Sequence, residues 1–154
     1  MECPYCHKQL TFVTNSRPTK NNAQVWRRRY CENCKETFTT HEVIDLSHLV
    51  VIKKSGQAER FSQAKLYSGI YGATIGSKLP NREFVVDKIT REVEKKILSL
   101  KKKKLASQEI TDIVLEGLKK SSPTTFLRYL AYNKNPKSEV QIRKELSKYL
   151  KIKI

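Results

Sequence analysis

The sequence predicts an α+β protein in which a small β-rich module is followed by a mostly helical domain with a short β-hairpin. Two observations lead to this class. All four cysteines lie within the first 34 residues, among short β-branched stretches with too little apolar material for a core. After residue 47 no cysteine occurs, and apolar residues recur at helical spacing. We expect domains over residues 1–46 and 47–136, and a C-terminal helix or tail over residues 137–154.

The cysteines form two Cys-x2-Cys pairs that are separated by 24 residues. Each pair offers two thiolates from one tight turn, and two such pairs complete four-coordinate zinc with sulfur at roughly 2.3 Å. Such a site has no open position, so its role is structural. Iron in the same cage and redox-active cysteine pairs are the alternatives. The sequence therefore predicts a zinc ribbon with one structural zinc ion, held by Cys3, Cys6, Cys31 and Cys34.

Within the ribbon, residues 10–14 and 37–40 are expected to form strands, with a polar turn at residues 20–22. An arginine triplet at residues 27–29 directly precedes the second cysteine pair. Side chains alternate along a strand, so Arg27 and Arg29 should project together while Arg28 opposes them. Guanidinium groups bind phosphate bidentately and also reach guanine edges, which suits DNA. Arg17 adds another arginine on the opposite limb, and solvated charge is the alternative interpretation of the cluster.

The net charge is +16, from 31 lysines and arginines against 15 acidic residues. Residues 1–46 carry 7 basic and 5 acidic side chains, whereas residues 47–154 carry 24 and 10. Nucleic acid is the expected partner of so basic a chain, and a merely solvated lysine-rich surface is the alternative. Because neither a long apolar run nor a charged-then-apolar leader is present, we expect a cytoplasmic protein without a membrane segment.

The second domain is expected to open with a β-hairpin. Residues 49–54 are β-branched and lead into Ser55-Gly56, and a second short strand reaches Phe61. Ser62 is placed to cap the first helix. The apolar residues of that helix are Leu66, Ile70 and Ala73.

Four further helices are expected after the first. Pro80-Asn81 precedes the longest of them, whose core-facing side chains recur every four residues: Val85, Ile89, Val93 and Ile97. The lysine run at residues 101–104 closes this helix, either as a solvated connection or as a phosphate contact. Ser107, Ser122 and Ser138 mark the starts of the other three.

Together these motifs resemble the NrdR family, bacterial transcriptional repressors of ribonucleotide reductase genes. The resemblance of the ribbon rests on these segments: Cys3-Pro4-Tyr5-Cys6, Asn15-Ser16-Arg17-Pro18, Arg27-Arg28-Arg29-Tyr30-Cys31, Cys34 and Thr37-Phe38-Thr39-Thr40-His41-Glu42. The segment that follows resembles the opening of an ATP-cone: Val51-Ile52-Lys53-Lys54-Ser55-Gly56, then Glu59, Phe61 and Lys65-Leu66. The resemblance covers nearly the whole chain in the order of the family.

The resemblance implies a zinc ribbon that binds double-stranded operator DNA, joined to an ATP-cone that binds ATP or dATP and changes the oligomeric state. The arginines at the family's DNA-facing positions are Arg17, Arg27, Arg28 and Arg29. Its nucleotide-contacting lysines correspond to Lys53 and Lys65, and the adjacent Lys54 is a further candidate. A homo-oligomer on paired DNA half-sites is also implied, as is association with the bacterial nucleoid.

Catalysis is not expected, because the sequence shows no Ser/His/Asp set, no open metal position and no glycine-rich Walker loop. Two other functions are open alternatives. One is an ATP-cone protein that regulates a reductase by direct contact and does not need the arginine triplet. The other is a general zinc-ribbon protein that binds RNA or a polymerase and does not need a nucleotide site.

Overall fold

The computed structural model describes residues 1–19 and 24–150, so the turn expected at residues 20–22 lies outside the described residues. The chain divides into two compact units, Met1–Asp45 and a second that begins at Leu46. The first unit is β-rich, and the second is mostly helical with a small mixed sheet. This architecture confirms the predicted fold class, in which a β-rich ribbon precedes a helical domain.

The first unit is a three-stranded antiparallel sheet in the order β1-β2-β3. Its strands are β1 (Thr11–Pro18), β2 (Gln24–Cys31) and β3 (Thr37–Val43). Among the described residues of this unit, the buried apolar side chains are Cys3, Cys31 and Phe38. Three such side chains are too few for an apolar core, so the sheet needs another source of stability.

The second unit opens with the predicted hairpin, β4 (Val50–Ile52) and β5 (Ala58–Arg60). A third strand, β6 (Lys104–Ala106), pairs in parallel with β4 and completes a sheet in the order β5-β4-β6. The sequence carries little signal for β6, because this strand is short and begins inside the lysine run. Leu105 is its buried residue, and it joins the same core as Val51 of β4.

Five helices make up most of the second unit over residues 46–150. They are α1 (Gln63–Thr74), α2 (Arg82–Ser99), α3 (Ser107–Ser121), α4 (Pro123–Lys134) and α5 (Glu139–Leu150). The first four pack in a ring, α1 on α2, α2 on α3, α3 on α4 and α4 on α1. None of the helices in the described part of the chain combines the length and the hydropathy that crossing a bilayer requires.

Serine caps begin α1 and α4, as predicted. The Ser62 hydroxyl accepts a hydrogen bond from the Lys65 amide at 3.3 Å. The Ser122 hydroxyl accepts one from the Thr125 amide at the same distance, 3.3 Å. Each bond satisfies a first-turn amide that the helix itself leaves without a partner. Helix α4 ends at Asn135, whose φ of 47° is the left-handed conformation common at helix ends.

The apolar face of α2 differs from the predicted one at its first position. Ile89, Val93 and Ile97 are buried as expected, but Val85 is only half-buried and Val86 is fully buried in its place. A strict four-residue repeat drifts by about 40° per step around a helix of 3.6 residues per turn. Over three turns, the four residues of such a repeat therefore cannot all lie on the side of the helix that faces the core.

Helix α5 packs on the other helices mainly through Tyr149. The Tyr149 ring lies edge-on to Phe126 with 5.8 Å between centroids, and its hydroxyl donates to Asp112 Oδ1 at 2.6 Å. Lys134 of α4 and Lys148 of α5 pair with the same Asp112 carboxylate, at 2.5 and 2.9 Å. One carboxylate on α3 thus connects three helices.

We predict that Ser122→Ala lowers the free energy of unfolding by about 1 kcal/mol, because it removes the N-terminal cap of α4. Ser121→Ala is the matched control, since the Ser121 hydroxyl is exposed and donates to the Gly117 carbonyl inside α3. Denaturant unfolding followed by circular dichroism compares the two variants. Equal losses in both would contradict the capping role of Ser122.

Candidate metal centre, nucleic-acid surface and nucleotide site

The four cysteine sulfurs meet in one cluster at the end of the ribbon sheet. All four Sγ atoms lie within 4.8 Å of one another, and the Cys3–Cys34 and Cys6–Cys31 sulfurs are each 3.6 Å apart. A tetrahedron with arms of about 2.3 Å has edges of about 3.8 Å, so this spacing fits one four-coordinate zinc ion. Cys3 and Cys31 are fully buried, as the ligands of closed structural sites usually are.

The two cysteine pairs lie on two turns with the same backbone geometry. The Cys3 carbonyl accepts a hydrogen bond from the His7 amide at 3.0 Å, and the Cys31 carbonyl accepts one from the Lys35 amide at 2.9 Å. His7 and Lys35 both have positive φ, 58° and 63°. This left-handed residue follows the first cysteine of each pair by four positions and turns the chain back. The two turns thereby direct their sulfurs toward one centre.

Four thiolates this close repel one another, so ionising them together is unfavourable without a cation between them. A hydrogen bond from the Lys8 amide lowers the pKa of Cys6 to about 6. The Glu36 amide also favours the Cys34 thiolate, but desolvation and the three neighbouring sulfurs raise the pKa of Cys34 to about 12. A dication at the centre offsets this repulsion, because zinc binds cysteine as thiolate. The predicted ligands therefore fit zinc in chemistry as well as in spacing.

The strand register divides the four candidate arginines between two faces of the ribbon sheet. Side chains opposite each other on paired strands share a face. Arg17 is opposite Trp26, and Arg28 is opposite both Asn15 and Thr39. What we call the open face carries Phe12, Asn15, Arg17, Trp26, Arg28, Tyr30, Thr37, Thr39 and His41. The cage face, which continues to the metal ligand, carries Arg27, Arg29, Cys31, Phe38, Thr40 and Glu42. The predicted alternation within the triplet is confirmed.

The arginines of the two faces have different partners. On the cage face, Arg27 Nη2 lies 2.5 Å from Glu42 Oε2, and Arg29 Nε donates to Thr40 Oγ1 at 3.1 Å. On the open face, the Arg17 guanidinium lies over the Trp26 ring, 4.8 Å from its centroid. Arg28 Nη2 donates to the Thr37 hydroxyl at 2.5 Å.

Two of the three candidate nucleotide lysines meet at one carboxylate. Lys53 follows β4 and Lys65 lies in the first turn of α1, yet both Nζ atoms are 2.8 Å from Glu59 Oε2. Hydrogen bonds from Lys53 and Lys65 hold the pKa of Glu59 below its ordinary value. Two cations thus converge at one point close to the N-terminal turn of α1, an arrangement that can bind an anion.

Lys54 takes a different direction from Lys53. Its Nζ donates to the Asn133 carbonyl at 3.1 Å, near the end of α4. Val51 and Glu59 are paired across the hairpin and share the sheet's inner face. Alternation places Lys53 on that same side and Lys54 on the other. The structure therefore separates the two neighbouring lysines.

Sequence reasoning assigns no role to the carboxylates that organise these clusters. Glu42 pairs with Arg27, and Glu59 joins two lysines that are 12 residues apart in sequence. A signal for Glu59 exists, because it stands two residues before the buried Phe61 and so shares the inward face of the same strand. For Glu42 the pairing depends on the β2–β3 register, which the sequence does not reveal.

We predict that removing the metal unfolds the ribbon, because its few buried side chains cannot replace the ion. Trp26 is the only tryptophan and lies in the ribbon, so its fluorescence reports that unit. A chelator should therefore change Trp26 fluorescence while most of the helical circular dichroism persists. Cys6→Ser should behave like the chelated protein, whereas the exposed Glu2→Gln should retain one zinc per chain. An unchanged Trp26 spectrum after metal loss would contradict the prediction.

Comparison with known proteins finds a family match for each unit. Residues 1–42 match the transcriptional repressor NrdR-like N-terminal domain, and residues 49–138 match the ATP cone domain. The protein named transcriptional repressor NrdR from Lachnoclostridium phytofermentans is 32% identical, over 97% of each chain. Its namesake from Caldicellulosiruptor bescii is 33% identical, over 100% of this chain and 99% of its own. Another from Kosmotoga olearia is 34% identical, over 87% and 84%. The chain therefore belongs to the NrdR family.

Proposed function

We propose that the chain is a nucleotide-sensing transcriptional repressor of ribonucleotide reductase genes. Its zinc ribbon binds operator DNA, and its ATP-cone binds ATP or dATP and controls the oligomeric state. One observation carries this proposal, namely that both domains match in tandem along nearly the full length of relatives named transcriptional repressor NrdR. The protein is a regulator rather than an enzyme. It lies in the bacterial cytoplasm, where it associates with the nucleoid.

The arginines support the role of the ribbon in DNA binding. Residues 1–46 carry a net charge of only +2, and four thiolates around one dication add about −2. The positive potential of this unit is therefore concentrated where the arginines project: Arg17, Arg27, Arg28 and Arg29. A rigid sheet, anchored at one end by the metal, holds their guanidinium groups in place for phosphate and base edges.

The convergence of Lys53 and Lys65 supports a triphosphate site between the end of β4 and the start of α1. A lysine ammonium is a compact cation suited to phosphate, and the first turn of α1 adds backbone amides. Lys54 lies on the other side of the strand, against the Asn133 carbonyl, and it joins this site only if its side chain leaves that carbonyl for a phosphate. ATP and dATP present the same triphosphate, so discrimination between them must come from contacts to the sugar.

A repressor that reports nucleotide supply has to couple its two sites. A nucleotide that binds one assembly more tightly than another shifts the population toward that assembly. A nucleotide with equal affinity for both would shift nothing, however tightly it binds. In a homo-oligomer the assembly decides how many ribbons can engage paired half-sites together, and linked binding raises the overall affinity.

We predict that Lys65→Ala weakens ATP and dATP binding by about 10- to 100-fold, because a hydrogen bond to a charged group contributes about 1.5–3 kcal/mol. Lys78→Ala removes the same charge from an exposed position beyond the far end of α1 and should leave affinity unchanged. Isothermal titration calorimetry measures both variants. Absence of nucleotide binding in the wild type would favour a general zinc-ribbon protein instead.

We also predict that replacing all four ribbon arginines with glutamine abolishes binding to labelled promoter DNA. The matched control replaces four exposed lysines of the helical unit, which changes the net charge equally: Lys78, Lys88, Lys95 and Lys144. Fluorescence anisotropy gives the affinity, and light scattering of the same samples gives the mass with and without nucleotide. Promoter binding unaffected by the arginine replacements would favour direct contact with a reductase.

A further inference from the structure

We propose that the open face of the ribbon, rather than the arginine triplet as a whole, is the surface that contacts duplex DNA. In this arrangement Arg17 and Arg28 bind the DNA backbone, and Arg27 is a positioning residue held by Glu42. The inference rests on the proposed function, because it takes DNA as the partner of the ribbon. It differs from the expectation for the family, which treats the four arginines alike.

The open face presents uncompensated positive charge. Among the described residues of the ribbon, neither Arg17 nor Arg28 forms an ion pair, and no carboxylate belongs to the open face. Arg28 is the exposed member of the triplet, and its partners are the hydroxyls of Thr37 and Thr39. A neutral hydroxyl is easily exchanged for a phosphate oxygen, because a charge-assisted hydrogen bond is about twice as strong. Both guanidinium groups are therefore available to DNA.

The cage face is poorly suited to a polyanion. Arg27 already pairs with Glu42 at 2.5 Å, and its side chain is only 32% exposed. Glu42 is 62% exposed, so a phosphate approaching Arg27 would meet this carboxylate first. Like charges at such a distance repel, and binding would have to break the existing pair as well. The cage face also supplies Phe38 to the small buried cluster around the cysteines.

Three other side chains of the open face, which also carries the aromatic pair Phe12 and Tyr30, are of the kinds that contact a nucleic-acid backbone. Asn15, Thr39 and His41 are exposed, short and able to hydrogen-bond phosphate and sugar oxygens. Trp26 lies at cation–π distance from the Arg17 guanidinium, and this contact favours that position of the arginine over the sheet. Two arginines on adjacent strands, with polar groups around them, thus form one continuous surface.

The Arg27–Glu42 pair explains how Arg28 is kept on the open face. The pair joins β2 to β3 diagonally, because Val25 faces Glu42 and Arg27 faces Thr40 in the register. Alternation along β2 places Arg28 on the open face, and the ion pair stabilises the β2–β3 register that holds the strand in this orientation. Arg27 therefore acts on DNA binding through the orientation of Arg28, without touching DNA.

Two double variants test the inference, and each serves as the control for the other. Arg17→Gln with Arg28→Gln, and Arg27→Gln with Arg29→Gln, remove the same residue type and the same charge from opposite faces. The logarithm of the DNA affinity falls with the logarithm of salt by about 0.9 per phosphate contact. The open-face pair should lower this slope by about 2, whereas the cage-face pair should lower it by at most about 1, through a displaced Arg28. A slope reduced by about 2 in the cage-face pair, or unchanged in the open-face pair, would overturn the inference.

Arg27→Lys and Trp26 fluorescence give independent readouts. Lysine can still pair with Glu42, so Arg27→Lys should retain the wild-type affinity that Arg27→Gln loses, whereas an equal loss in both would contradict the positioning role. DNA should also protect Trp26 of the wild type from quenching by acrylamide, and unchanged quenching would place the DNA elsewhere. Zinc content and thermal unfolding confirm that each variant is folded. If the wild-type protein binds no promoter DNA, the proposed function itself is refuted. If the wild type binds, the two double variants decide which face of the ribbon contacts the DNA.

Discussion

Coordination of four sulfurs by one ion is the constraint on which the ribbon depends. Cys31 is both a ligand and the last residue of β2, so the metal fixes the end of the central strand. From that point, alternation along β2 and the register with β1 and β3 determine which arginines share a face. A unit with so few buried apolar side chains cannot set this geometry by packing. Metal chemistry thus determines the orientation of the guanidinium groups.

In the second unit, an ionised carboxylate has the corresponding role at the proposed nucleotide site. Lys53 and Lys65 would repel each other at this separation, and Glu59 between them offsets that repulsion. Its lowered pKa keeps Glu59 ionised at neutral pH, and the two ion pairs would be lost only as the pH falls through that lowered value. A triphosphate carries more negative charge than one carboxylate, so it can compete for both lysines. Glu59 thereby keeps the two lysines together at a position where a phosphate can replace it.

Local features of this protein could be predicted from the sequence, whereas pairings between distant segments could not. The cysteine spacing and the serine caps at Ser62 and Ser122 depend on a few neighbouring residues, and the structure has them as predicted. Strand β6 is different, because its three residues become a strand only when β4 lies beside them. The roles of Glu42 and Glu59 likewise depend on the registers that bring them to arginine and lysine. The sequence predicts that Arg28 lies on the opposite face from Arg27 and Arg29, but the face that carries Arg17 depends on the β1–β2 register.

The charge of the helical unit bears on how nucleotide and assembly can be coupled. Residues 47–154 contain 24 basic but only 10 acidic side chains. Several of these carboxylates already pair with lysines, as in Lys96–Glu116, Lys102–Glu109 and Lys148–Asp112. Few carboxylates are therefore left to neutralise the remaining lysines and arginines. Two copies of such a unit repel each other, and the repulsion is strongest where their cations face each other. A bound triphosphate lowers the positive charge of each copy and so reduces the cost of bringing copies together. In the function proposed above, ATP and dATP supply the same charge, so only their different contacts around the sugar would let them select different assemblies.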